Sequence, residues 1–301
     1  MFNKRINKSY EELIARIANA KNKNLSANDR KSSRYVENIG KKEVTHICTL
    51  IFNQPECLEA LHESLQKTCV MPWELHVVDN GSEKSKLDRI INFCVSNNID
   101  IICRKCDFGM ARASEAHGDG LDFIIKNFGI EDSIMMIVES DLYFVKKGWD
   151  RDLRLNLPKN GHATTIRNPA IYQPAAFLSM FRKKTITSKK ISFMPRAKKN
   201  GKAMSYHDVG YQLASIPNQR WHRLGNAMVT EENGITKISG SHDIYNGRVK
   251  IASHLSRGRL SSRRKMSFSL WLDQCREYLK NNNLSIGTRS GIFNAHNRIT
   301  M

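Results

Sequence analysis

From Val44 to Phe144 the chain alternates between short apolar runs and amphipathic stretches. The runs are "VTHICTLIFN", "WELHVVDNGS", "IDIICRKC" and "SIMMIVESDLYF". Between them lie "QPECLEALHESLQKT", "EKSKLDRIINFCVSNN" and "GMARASEAHGDGLDFIIKNFG", which read as helices. Pro55 suits a first helical turn, where a missing N–H costs nothing. Strand, helix and strand joined by short connections require right-handed crossovers, so the expected fold is α/β: a Rossmann-like, mostly parallel sheet flanked by helices. Ligands of such sheets bind beyond the carboxyl ends of the strands. The polar residues closing these strands are therefore candidate site residues: Asn53, Asp79, Asn80, Glu139 and Asp141.

The last of those strands poses a physical problem. Five apolar residues run into Glu139-Ser140-Asp141, placing two carboxylates one residue apart. Like charges at that spacing repel. A hard divalent cation would relieve the repulsion, since Mg²⁺ is typically held by one or two carboxylates and completed by substrate phosphates. A solvated strand end is the alternative for such a pair taken alone.

Around this core the texture differs. Residues 1–42 read as a basic arm, with a short amphipathic helix over Tyr10–Ala20 and a polar connector. Residues 43–258 form the expected main domain, in two halves over 43–150 and 151–258. Residues 259–301 form a basic, helical extension around "SFSLWLDQCREYLKNNN". In the second half, "GHATTIRNPAIYQPAAFLSMFRK" reads as a strand followed by a helix or second strand, and "MSYHDVGYQLASIPNQ" as a turn leading into a helix. The segment Arg182–Lys202 carries nine basic residues and no acid; such a run is read as a solvated loop or as a polyanion contact.

No run of 18 apolar residues exists, so no membrane span is expected. The N-terminus is basic but lacks an apolar h-region, which argues against a secretory signal. Seven cysteines without a framework spacing point to reduced thiols, and cytoplasmic residence is the expectation. "CRKC", Cys103 to Cys106, lacks further zinc ligands at suitable spacing and reads as two ordinary thiols.

Several segments together resemble a known family. "VVDNGS" closing the second strand, "FGMARASEAHGDG" opening a helix and "MMIVESDLYF" closing a later strand come in the order found in GT-A fold nucleotide-sugar glycosyltransferases, most similar to the family 2 group. "YHDVGYQLA" and "ASHLSRGR" fit the same scheme, and the resemblance covers about Thr45 to Gly258. It implies a GT-A fold whose nucleotide-binding half is 43–150 and acceptor half 151–258, and a nucleotide-diphosphate sugar as co-substrate, a UDP-sugar first among them, with Mn²⁺ or Mg²⁺ as cofactor. Thr49 and Asp79 would contact the nucleoside, and Arg112 the diphosphate. Glu139 and Asp141 stand where the family has Asp-x-Asp, with Asp141 the metal ligand and Glu139 a longer substitute that contacts metal, metal-bound water or ribose. Asp208 matches the catalytic base of a single inverting displacement, with His207 in place of the usual preceding acid; it can equally cap the helix it precedes. His254 matches a late histidine that completes the metal shell.

The acceptor is not written in the fold. Forty-eight Lys and Arg against 29 acids give a formal charge of +19, a field that attracts polyanions. Arg182, Lys183, Lys184, Lys198, Lys199, Arg257 and Arg259 are the expected polyanion contacts. DNA carrying a hydroxymethylated base is the favoured acceptor, which would require base flipping or a single strand. Envelope glycan, lipid or protein acceptors are the rival, with peripheral contact to anionic lipid. From another class, a metal-dependent nuclease or nucleotidyltransferase would also pair acids with basic surface, and an inactive scaffold would only bind nucleic acid. "VVDNGS" upstream of "ESD" favours a nucleoside pocket over a two-metal cluster.

Overall fold

The computed structural model describes residues 44–106, 113–129, 131–168, 173–200, 203–231, 234–255 and 268–286. The expected N-terminal arm and its helix, Arg112, and the Arg257 and Arg259 segment lie outside them.

The first half follows the alternating pattern. Strands β1 (Thr45–Ile51), β2 (Trp73–Asp79), β3 (Asp100–Cys103) and β4 (Ile134–Glu139) are interleaved with helices α1 (Pro55–Thr68), α2 (Lys84–Ser96) and α3 (Ala113–Asn127). They lie side by side in the order β3-β2-β1-β4, and every neighbouring pair among them is parallel. β4 is apolar without alternation because both of its faces are covered, as expected inside an α/β sheet. Met136 and Val138 join Leu58, Leu61 and Leu65 of α1 on one face. Met135 and Ile137 meet Leu121, Ile124 and Phe128 from the α3 side on the other.

The second half is largely antiparallel. After β5 (Leu142–Phe144) and α4 (Trp149–Leu155) come β6 (His162–Asn168), β7 (Gln173–Arg182), α5 (Lys183–Ser188), the hairpin β8 (Arg196–Asn200) and β9 (Ala203–His207), and a short 3₁₀ turn (Tyr211–Ser215). β10 (Gln219–Glu231), β11 (Gly234–Asn246), β12 (Val249–His254) and α6 (Phe268–Ile286) complete the described elements. The whole ten-stranded order is β3-β2-β1-β4-β7-β6-β10-β11-β12-β5, with β8 and β9 apart. The helix expected after "MSYHD" is thus a strand end and a 3₁₀ turn. The "SIMMIVESDLYF" run is two strands, broken at Ser140-Asp141.

That break shapes the whole sheet. β5 starts three residues after β4 ends, yet it pairs with β12 at the opposite end of the strand order. The sheet must therefore curl back on itself until β12 and β5 stand beside the tip of β4. Helix α6 closes this end: Trp271, Leu272, Cys275 and Leu279 pack on Tyr143, Val145 and Leu255. Among the described residues no helix is long and apolar enough to cross a membrane. None of the seven cysteines is in a disulfide.

Candidate active site at the carboxyl ends of the parallel strands

Register brings the charged residues together. In β12, His254 pairs with Leu142 of β5, and the Leu255 N–H donates to the Asp141 carbonyl at 3.0 Å. This sets the His254 ring against the tip of β4. Its Nε2 lies 2.7 Å from Glu139 Oε2 and 3.0 Å from Asp141 Oδ1. The ring is 1% exposed and packs against Phe177, centroids 4.2 Å apart.

The repulsion between Glu139 and Asp141 is answered by the imidazole between them. Burial disfavours a charge on His254, but the Asp141 and Glu139 carboxylates outweigh it and raise its pKa to about 10. Burial likewise raises Asp141, and the imidazolium more than reverses this, so the carboxyl lies below its ordinary range. A positive centre is therefore favoured at this point. Two carboxylates and an imidazole, with donor atoms within 4.8 Å of one another, form a donor set that fits a divalent cation. His117 of α3 stands beside this set, its Nδ1 4.0 Å from Glu139 Oε1. Sequence reasoning missed His117. Beside it α3 is pressed close to another segment: a Cβ on Gly118 would come within 2.7 Å of the Phe193 carbonyl.

Asp79 closes β2, on the far side of β1 from Glu139. It sits opposite Ile51 of β1, while Glu139 sits opposite Leu50; two strand spacings put the acids about 10 Å apart. Asp79 Oδ2 accepts the N–H groups of Gly81 and Ser82 at 3.0 and 3.1 Å, in a turn where Gly81 takes φ +89°. Its Oδ1 is buried without a hydrogen-bond partner among the described residues. Burial holds the Asp79 pKa above the usual carboxylate range despite those two N–H groups. Asn53 and Asn80 brace the rim: Asn53 Oδ1 accepts the Glu83 N–H at 2.7 Å, and Asn80 Nδ2 donates to the Ala116 carbonyl at 3.1 Å. Thr49 lies two residues before the end of β1 and is fully buried, its hydroxyl without a hydrogen-bond partner among the described residues.

Asp208 follows β9, its Oδ1 accepting the Val209 N–H at 2.8 Å. A clamp from α3 holds its surroundings. Asp122 accepts from Ser192 Oγ at 2.6 Å and from the Phe193 N–H at 2.7 Å; the Phe193 carbonyl accepts the Gly210 N–H at 3.3 Å. The helix that carries His117 to Glu139 thus also ties down the turn after Asp208.

Three of the expected polyanion contacts lie away from the acids. β7 runs antiparallel to β4 with Arg182 opposite Ile134, so Arg182, Lys183 and Lys184 lie at the amino end of β4, the far end from Glu139. Lys183 is buried and donates to the Phe128 and Gly129 carbonyls at 3.1 and 3.0 Å. Arg182 donates to the Asp132 carbonyl, and Lys184 stands 4.0 Å from the Asp132 carboxylate. A basic run carries no information about which end of a sheet it reaches; strand register decides that. The side chains of Lys198 and Lys199, in β8, lie outside the described residues.

No protein-family profile matches the chain, and no curated protein matches it. Solved structures similar to it include S. aureus TarS residues 1–349, at 15% identity and TM-score 0.38, covering 50% of each chain. The mannosyltransferase PcManGT from Pyrobaculum calidifontis, solved with GDP-Man and Mn²⁺, matches at 11% identity and TM-score 0.39 over 54% of this chain and 53% of that one. The bifunctional glycosyltransferase WbbM matches at 12% identity and TM-score 0.41, over 61% and 39%. The matched regions span about half or less of those three chains.

Proposed function

We propose that the chain is a metal-dependent glycosyltransferase that moves a sugar from a nucleotide-diphosphate donor to an acceptor hydroxyl with inversion. The observation that carries this reading is the meeting of Glu139, Asp141 and His254 at the carboxyl edge, across β1 from a buried, half-satisfied Asp79. The nucleoside lies across β1, with Asp79 Oδ1 accepting from its base or ribose. Asp141 and His254 would hold the cation, and Glu139 would contact the cation or the ribose. When bound, Mn²⁺ or Mg²⁺ supplies charge stabilisation for the departing diphosphate. Asp208 takes the proton from the acceptor hydroxyl as its oxygen bonds to the sugar carbon and the carbon–phosphate-oxygen bond breaks. The clamp through Asp122 keeps that base in a fixed relation to α3.

The test is thermal stability with nucleotide sugars, with and without Mn²⁺. A donor-specific, metal-dependent rise in Tm is expected. No response to any donor, with metal supplied, contradicts the reading and leaves a nuclease or a binding scaffold.

For the acceptor, the formal charge of +19 supports a polyanion, and DNA bearing a hydroxymethylated base is the substrate we favour. Duplex affinity should then fall steeply with salt as phosphate contacts release counterions. Weak binding indifferent to salt removes DNA and leaves glycan, lipid or protein acceptors.

A further inference from the structure

At the other end of the sheet, four side chains of metal-ligating type project from one face. His46 is the second residue of β1 and pairs with Glu74 of β2; His76, two residues on, pairs with Asp100, the first residue of β3. Registered partners and i, i+2 neighbours share a face, so all four belong to one patch. It is the face covered from the α3 side, where the His76 ring meets Phe128 with centroids 4.8 Å apart. His76 is 5% exposed, whereas the Glu74 side chain is 57% exposed, so the patch opens to solvent on one side.

The distances within it form a nearly regular triangle. His46 Nδ1 lies 3.0 Å from His76 Nε2 and 3.4 Å from Glu74 Oε2, and His76 Nε2 lies 3.7 Å from that same oxygen. Edges of 3.0, 3.4 and 3.7 Å average about 3.4 Å, the spacing of three corners of a tetrahedron whose centre lies about 2.1 Å from each, the length of a zinc–imidazole or zinc–carboxylate bond. An imidazole–imidazole hydrogen bond would explain the 3.0 Å edge alone. It would not explain a carboxylate oxygen standing almost evenly off both nitrogens. The second nitrogen of His76 stands 3.3 Å from Asp100 Oδ2, within ion-pair reach but without hydrogen-bond geometry, so a small turn of either side chain would complete the contact. A carboxylate behind a ligating histidine is the arrangement that fixes the tautomer and aims the other nitrogen at an ion.

We propose that His46, Glu74 and His76 bind a zinc ion that staples the amino ends of β1 and β2, with Asp100 of β3 orienting His76. Two imidazoles and one carboxylate leave a fourth tetrahedral position for water. The ion belongs to the scaffold and not to sugar transfer: His46 pairs with Met135 of β4, four residues before Glu139, which is about 13 Å along the strand. It would tie the short edge strand β3 to its neighbours by way of Asp100.

The test uses the full chain stripped of metal by chelation, with Co²⁺ as a spectroscopic stand-in for zinc. Asp141→Asn serves as the background, so that the carboxyl-end site does not compete. One equivalent of Co²⁺ should give the intense visible bands of a tetrahedral ion, and Zn²⁺ should erase them. Zn²⁺ should also raise Tm by several degrees. Glu74→Gln, at a half-exposed position that tolerates substitution, should lose both the bands and the Tm rise while keeping the circular dichroism of the parent. His46→Gln should do the same. Absence of tetrahedral bands in the Asp141→Asn protein overturns the proposal, as does their retention in Glu74→Gln. Bands seen in the parent but lost in Asp141→Asn alone would assign the ion to the other end and equally overturn it.

Discussion

Asp141 stands 3.0 Å from the His254 nitrogen, a little farther than Glu139 at 2.7 Å. It is held on two sides, by the His254 ring and, through its carbonyl, by the Leu255 N–H. Replacing it with Asn keeps the shape and the backbone bond but removes the charge. Turnover of the sugar nucleotide should fall by about 100-fold or more, and the dependence on Mn²⁺ should vanish, as read by product release across a metal titration. Glu139→Gln should cost less if its longer side chain acts on water or ribose. The two acids were legible in the sequence because two closely spaced carboxylates closing an otherwise apolar strand need a positive partner. His254 could be reached only through resemblance, since 115 residues separate it from Glu139 and an antiparallel register closes the gap. His117 was illegible for the same reason: helix periodicity tells which face is apolar, not which turn meets the neighbouring strand tip.

Single contacts between elements carry much of the order at this end of the molecule. Asp150, 3% exposed at the start of α4, accepts the Val70 and Met71 N–H groups at 3.0 and 2.7 Å, closing the loop between α1 and β2. Asp150→Ala would strand those donors and should lower stability by about 2 kcal/mol, measured by urea unfolding. Helix α6 is held by Arg276, whose guanidinium grips the Glu63 carboxylate of α1, with Lys67 also donating at 2.6 Å. Burial would raise the Glu63 pKa, but Arg276 and Lys67 outweigh it and bring it to about 2. A carboxyl depressed in the folded state stabilises above its unfolded pKa and loses that contribution as pH falls through the folded value. Stability from this contact should therefore decline between about pH 5 and pH 2. After allowance for solvent screening the loss is about 1 kcal/mol. Glu63→Gln should flatten that part of the pH–stability curve; an unchanged curve would show that the pair holds nothing.

At the scale of the whole molecule, the sheet separates two kinds of work. Its carboxyl edge gathers the acids, and its amino edge carries the histidine patch and the buried Lys183. The alternation of the first half was readable because parallel β/α units constrain order and handedness. The curl of the second half was not, because antiparallel strands can pair in many registers that local patterning does not choose between. Helix α3 links both halves, packed so closely that Gly118 admits no side chain. Gly118→Ala should lower stability by about 1–3 kcal/mol and loosen the segment that holds Asp208, seen as a drop in kcat larger than any change in KM. Whether the acids at the carboxyl edge grip a catalytic cation can be read from a crystal grown with Mn²⁺ and UDP, by the anomalous signal of the metal. One manganese peak is expected within about 2.3 Å of both the Asp141 carboxylate and His254 Nε2, with the nucleoside reaching Asp79. A peak elsewhere, or UDP bound away from Asp79 with no metal at Asp141, would refute the assignment.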